Sequence, residues 1–299
     1  MLLGIQGSGQ WVEGMPDPGL LRAVAELAES LGYDSLWAGD HVSFHNPIVD
    51  VTVALSTFAA RTERIAIGAG VVLLPLRHPS LVAKEFASLD WLTGGRVVLG
   101  VGVGGEGAKD FEAVGVSPRE RGARTDEAML ALRELFRGGP ASFSGRFFSF
   151  SGVQIEPGPA QPGGPPLWVG GRSAAAIRRA GRLGDAWMPI WISAERFAEG
   201  LAAARAHGRQ VAGAVVLPAL VDDDGARARE RLRGHLAARY SMDVEPHLVE
   251  RYCCAGTLEE CSKRVQAYAA AGAEHVVLNV GCGPDGFLAQ VEHLRAVAP

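Results

Sequence analysis

The sequence has no long apolar run free of charge, no basic block and no Cys-x-x-Cys pair, and each absence removes a class of protein. Without about 18 uncharged apolar residues in succession, no membrane span is expected. Lys and Arg number 29 against 33 Asp and Glu, a formal net charge of −4. Nucleic acid is therefore a poor partner. The four cysteines, Cys253, Cys254, Cys261 and Cys282, show neither zinc-ligand spacing nor a disulfide framework. Reduced thiols and a cytoplasmic setting are expected. The opening Met1-Leu2-Leu3-Gly4-Ile5-Gln6 has no basic residue ahead of its apolar ones, so it reads as a first strand and not as a secretion signal.

What is present is alternation. Short β-rich apolar runs fall at 2–6, 35–38, 65–74, 96–103, 166–169, 185–189, 212–219 and 275–280. Helical spacings separate or follow them at 18–31, 51–60, 79–92, 119–136, 173–183, 194–207, 224–240, 258–271 and 286–298. Gly32, Gly94-Gly95, Gly184 and Gly272 stand where helices end. The Asp222-Asp223-Asp224 run reads as a helix N-terminus, not a metal site. Residues 138–166 are rich in Gly, Pro, Ser and Phe and carry a hairpin-like stretch at 142–150. They read as an excursion on a rim between strands four and five.

Eight strands, each followed by a helix, predict parallel βαβ units. Gly7-Ser8-Gly9-Gln10 does not run straight into a helix, so the dinucleotide fingerprint of a doubly wound sheet is missing. The expectation is one (β/α)₈ barrel domain over 1–299, a length ordinary for that fold.

Ligand sites of such barrels lie at the C-terminal ends of the strands. Gln6, Asp40, His41, Phe44, His45, Val71, Val72, Leu74, Gly102, Gly104, Gly105, Gly170, Gly171, Arg172, Ser173, Trp187, Trp191 and Asn279 all fall there. An imidazole titrates near neutrality and can give or take a proton, so His41 with Asp40 is a candidate acid–base pair, or else a loop-packing pair. Gly100 to Gly105 suit the close approach of a flat ligand, or tight strand packing. Gly170-Gly171-Arg172-Ser173 opens a helix and suits a phosphate, or is a tight turn with Ser173 as a plain cap. Gln6, Phe44, His45, Trp187 and Trp191 are candidates to line a substrate cleft, or else Phe44, Trp187 and Trp191 are ordinary core or helix-packing aromatics, a reading that suits Trp187 at least as well. Glu106, Lys109 and Asp110 read as a solvated helix start.

Several segments together resemble the luciferase-like monooxygenase superfamily, in particular its short branch using the deazaflavin coenzyme F420. They are LGYDSLWAGDHV (31–42), the stretch 61–115 from RTERIAIGAGVVLLP to DFEAVG, SGRFFSF (144–150) and PPLWVGGRSAAAIRRAGRLGDAWMP (165–189). The resemblance implies that Asp40 and His41 lie beside the cofactor ring, His41 nearest the reacting carbon. It implies a non-prolyl cis peptide at Val71-Val72 and a cofactor chain passing Gly102, Gly104 and Gly105. Gly170, Gly171 and Ser173 would hold the phosphate. Many relatives carry a bulkier or acidic residue at Gly105, and some a Trp at Phe44, which implies a wider substrate pocket. The expected function is hydride transfer between F420 and a small organic substrate, by a homodimer. The alternatives are an FMN-dependent monooxygenase using oxygen, and a flavin-binding barrel without catalysis.

Overall fold

The computed structural model describes residues 1–7, 11–12, 14–15, 17–105 and 107–297. Its strands are β1 (Leu2–Gln6), β2 (Ser35–Ala38), β3 (Ala66–Leu73), β4 (Val97–Gly102), β5 (Ala141–Ser144), β6 (Ser149–Val153), β7 (Leu167–Gly170), β8 (Ala186–Met188), β9 (Ala212–Val221), β10 (Cys254–Gly256) and β11 (His275–Val280). The helices are α1 (Gly19–Ser30), α2 (Val51–Ala59), α3 (Pro79–Thr93), α4 (Ala108–Ala113), α5 (Arg121–Leu135), α6 (Ala174–Leu183), α7 (Ala194–Arg205), α8 (Gly225–Tyr240), α9 (Pro246–Tyr252), α10 (Leu258–Ala270) and α11 (Phe287–Arg295).

The pairing runs β9-β11-β1-β2-β3-β4-β7-β8, and β8 closes back on β9. All these pairs are parallel. This is a closed eight-stranded (β/α)₈ barrel. β10 adds a short parallel strand beside the far end of β9. β5 and β6 form the antiparallel hairpin of the rim excursion. The sequence pattern did not separate α4, α9 and β10. None is longer than seven residues, too short for a period to declare itself.

Capping fixes the helix starts. Asp50, Ser173, Ser193 and Asp224 each accept a backbone N–H of the helix they open, and Thr257 with Glu260 makes a reciprocal capping box. Most of the core lies between strands and helices. A second cluster fills the barrel itself, from Trp37, Met188, Ala214, Val216 and Val277. Gly68 is part of that packing: a Cβ there would lie 2.4 Å from the Trp37 ring.

Candidate active site

Strand alternation decides what reaches the mouth of the barrel. Successive side chains on a strand face opposite sides. On β11, His275 and Asn279 are therefore inward residues four apart, one at the floor and one at the rim. Where the strands end, Gln6, Asp40, His41, Val71, Gly102, Gly104, Gly105, Gly170 and Gly171 surround one open cavity of about 250 Å³. That is near the lower end of the ~300–1,000 Å³ usual for small-molecule sites. Val71, Leu73, Met188, Ile190 and Val216 supply apolar walls. Arg239, Tyr240 and Asn279 add polar groups.

Other residues singled out above fall outside the lining. Val72 and Leu74 are fully buried in the layer between strands and helices. Trp187 is the outward residue of β8. It stacks on Phe197 at 5.5 Å, and its Nε1–H donates to the Gly171 carbonyl at 2.8 Å. It is therefore a packing residue, and its neighbour Met188 faces the cavity in its place. Phe44 and His45 lie one step back: Phe44 stacks on His41 at 4.1 Å, and His45 Nε2 bonds the Arg239 carbonyl. Trp191 packs edge-on against Tyr240. Arg172 donates to the Trp191 carbonyl at 3.0 Å, and Ser173 caps α6. The non-prolyl cis peptide joins Gly70 to Val71, one bond earlier than expected. Glu106 and Ser8-Gly9-Gln10 lie outside the described residues.

The two acids of the site have exchanged roles relative to expectation. Asp40 is 3% exposed and does not meet the imidazole of His41 in a hydrogen bond. Its carboxylate accepts the Leu73 N–H at 3.0 Å and two N–H groups of Arg77, the shorter at 2.7 Å. Arg77 also reaches Asp50 at 3.0 Å. Burial works against the Arg77 charge, but the two carboxylates outweigh it and raise its proton affinity above the ordinary. The cluster ties the end of β2 to the turn after β3.

The acid that meets His41 is Asp110. It is fully buried, not part of a solvated helix start. One oxygen lies 2.8 Å from His41 Nδ1, and the other accepts the N–H groups of Val42 and Ser43 at 2.7 and 2.8 Å. Short α4 brings it there across 69 residues of chain. An acceptor at Nδ1 favours the tautomer that carries its proton there. An isolated acid with no partner motif beside it gives no sequence signal for that role. Arg77 and Arg239 were equally silent.

The glycines make one wall nearly bare. Gly102, Gly104, Gly105, Gly170 and Gly171 put backbone where side chains would project. A Cβ on Gly102 would come within 2.5 Å of Val71, and Gly104 takes φ +68°. The wall from β4 and β7 therefore presents backbone to the cavity, flanked by Val71 of β3 and Met188 of β8 and faced across the barrel by Gln6 and Asn279.

A family model described as luciferase-like monooxygenase matches residues 2–275. The chain is 30% identical over 311 residues to the F420-dependent glucose-6-phosphate dehydrogenase of Kineococcus radiotolerans, covering 91% of this chain and 90% of that protein. It is 38% identical over 177 residues to the 4-hydroxyprotoasukamycin monooxygenase of Streptomyces nodosus subsp. asukaensis, 57% of this chain and 47% of that one. The solved coenzyme F420 dependent tetrahydromethanopterin reductase of Methanopyrus kandleri superposes with a TM-score of 0.83 at 18% identity, over 99% of this chain and 98% of that one. That last likeness shows the barrel alone. The chain belongs to the luciferase-like monooxygenase family.

Proposed function

We propose that this chain is an oxidoreductase that uses the deazaflavin coenzyme F420 to move a hydride to or from a small organic substrate. The observation that carries the reading is the His41–Asp110 pair at the edge of a cavity whose opposite wall is glycine backbone. The relative matched over nine-tenths of both chains is named as F420-dependent, which favours the deazaflavin over FMN.

F420, when bound, supplies the two-electron hydride chemistry. The protein supplies the rest. Gly102, Gly104 and Gly105 admit the ring and its chain to the strand ends. The Gly170-Gly171 turn before α6 offers backbone N–H groups at a helix start to a phosphate. Val71, Met188, Ile190 and Val216 keep water from the reacting face. His41 Nε2 takes the proton of a substrate hydroxyl as the carbon is oxidised, or returns it in the reverse direction. Asp110 holds the imidazole in register and stabilises its protonated form. Asp40 with Arg77 holds the loop that carries His41. A homodimer belongs to the same reading and is measured by sedimentation.

The test is fluorescence titration of the purified chain with F420 and with FMN, followed by turnover of a panel of alcohols and ketones. F420 is expected to bind and FMN to bind weakly. Tight FMN binding with no response to F420 overturns the reading. The second reading is an FMN-dependent monooxygenase, favoured by the monooxygenase relative. It predicts substrate-dependent oxygen uptake with reduced FMN.

A further inference from the structure

In the closed strand order, β9 and β11 stand across the barrel from β3 and β4. The β3–β4 side of the cavity is glycine, valine and Leu73. The opposite side carries Asn279 of β11 and, at the end of α8, Arg239. We propose that Arg239 anchors the substrate of this site, and that the substrate is a short hydroxy or oxo acid whose carboxylate it receives. The proposal rests on the oxidoreductase reading above and adds to it the chemical class of the substrate.

Charge bookkeeping inside the cavity points this way. Asp40 is committed to Arg77, and Asp110 to His41 and two backbone amides. Arg239 has no carboxylate within 4.0 Å among the described residues. Its Nε–H is buried with no hydrogen-bond acceptor. Its Nη1 makes one long bond, 3.4 Å, to Asn279 Oδ1. A buried donor without an acceptor is costly, and a charge-assisted bond to a carboxylate relieves that cost.

The neighbours are matched to an anion. Engaging its oxygen with Arg239 leaves Asn279 its amide N–H₂ to donate. Gln6, 3% exposed, brings a second amide to the same rim. His235, one turn back on α8, is pushed down to about 4 by burial and by Arg239, so it adds no competing cation at neutral pH. The arginine is also held in place. Its carbonyl accepts from His45 Nε2 and from Asn46 Nδ2 at 3.0 Å, and its guanidinium lies over the Tyr240 ring at 5.8 Å.

The experiment is isothermal titration of the full chain, with and without F420, against hydroxy acids of three to six carbons and their methyl esters. F420 binding itself is measured first. At least one acid is expected to bind roughly tenfold or more tightly than its ester. Arg239→Gln is expected to erase that preference, and Arg239→Lys to keep part of it. The proposal is overturned if no acid outbinds its ester, or if Arg239→Gln keeps the wild-type preference. It is equally overturned if Arg239→Gln weakens F420 while the preference for acids persists, since the guanidinium would then serve the cofactor. Should Arg239→Gln fail to fold, the acid–ester comparison and Arg239→Lys still decide. Failure of F420 to bind the wild-type chain sinks the oxidoreductase reading instead, and the acid–ester comparison without cofactor remains interpretable.

Discussion

A histidine next to an aspartate in sequence need not be its partner in space. His41 follows Asp40, yet it pairs with Asp110, and Asp40 turns to Arg77. The consequence is measurable. Asp110→Asn keeps an oxygen for the Val42 and Ser43 amides, so folding stability changes by only about 1 kcal/mol. The imidazolium, however, loses its counter-charge and its tautomer is no longer fixed. Turnover is expected to fall by roughly 10²–10⁴, the usual weight of a positioned acid–base group. F420 affinity is expected to hold. Unchanged turnover in Asp110→Asn would remove the aspartate from the mechanism. At this scale the sequence told which rim carries chemistry, because strand ends in a barrel share one mouth. It did not tell which acid meets which base, because that contact is made by a six-residue helix 69 positions away. Trp187 stayed open between cleft and packing for a related reason: a strand end of three residues gives no alternation from which to choose between its two faces.

The elements were legible because each has its own period and its own stop. Every barrel strand reads as an apolar run, and Asp224, Ser173 and the glycine pair after α3 mark helix termini present in the fold. The bare wall built from β4 and β7 was legible only as a cluster of glycines, with two uses left open. Geometry separates the uses at Gly170. A Cβ there would meet Val71 at 3.2 Å and Val101 oxygen at 3.5 Å, so the barrel has nearly enough space to accept it. Gly170→Ala is expected to cost less than about 1 kcal/mol of stability. It should nevertheless weaken F420 binding several-fold, because the methyl group intrudes on the lining. Loss of stability with cofactor affinity intact would show instead that this glycine serves strand packing.

The barrel as a whole closes on a floor that titrates. His275 enters the interior from β11, 6% exposed, with Nε2 at 2.7 Å from Ser35 Oγ. Trp37 Nε1–H donates to the same oxygen at 2.6 Å, which leaves the serine hydroxyl able to donate to an unprotonated His275 Nε2. Burial pushes His275 down to about 4; Asp34 opposes the shift and the N-terminal ammonium adds to it. An unfolded histidine binds its proton near pH 6.5. Between those values the unfolded chain holds a proton that the folded one refuses, so stability is complete above about pH 6.5 and drains as the pH falls toward 4. The slope is about 1.4 kcal/mol per pH unit for this one group, up to roughly 3 kcal/mol in all. His235 on α8 is lowered to about 4 as well and steepens the same limb. Urea midpoints measured from pH 7 to 4.5 should fall in the wild-type chain and fall less in His275→Gln, which keeps an acceptor for Ser35 but has no proton to gain. If both proteins trace the same curve, the floor of the barrel carries no charge-dependent stability, and the neutral hydrogen-bonded chain from Trp37 through Ser35 to His275 is not what the fold protects.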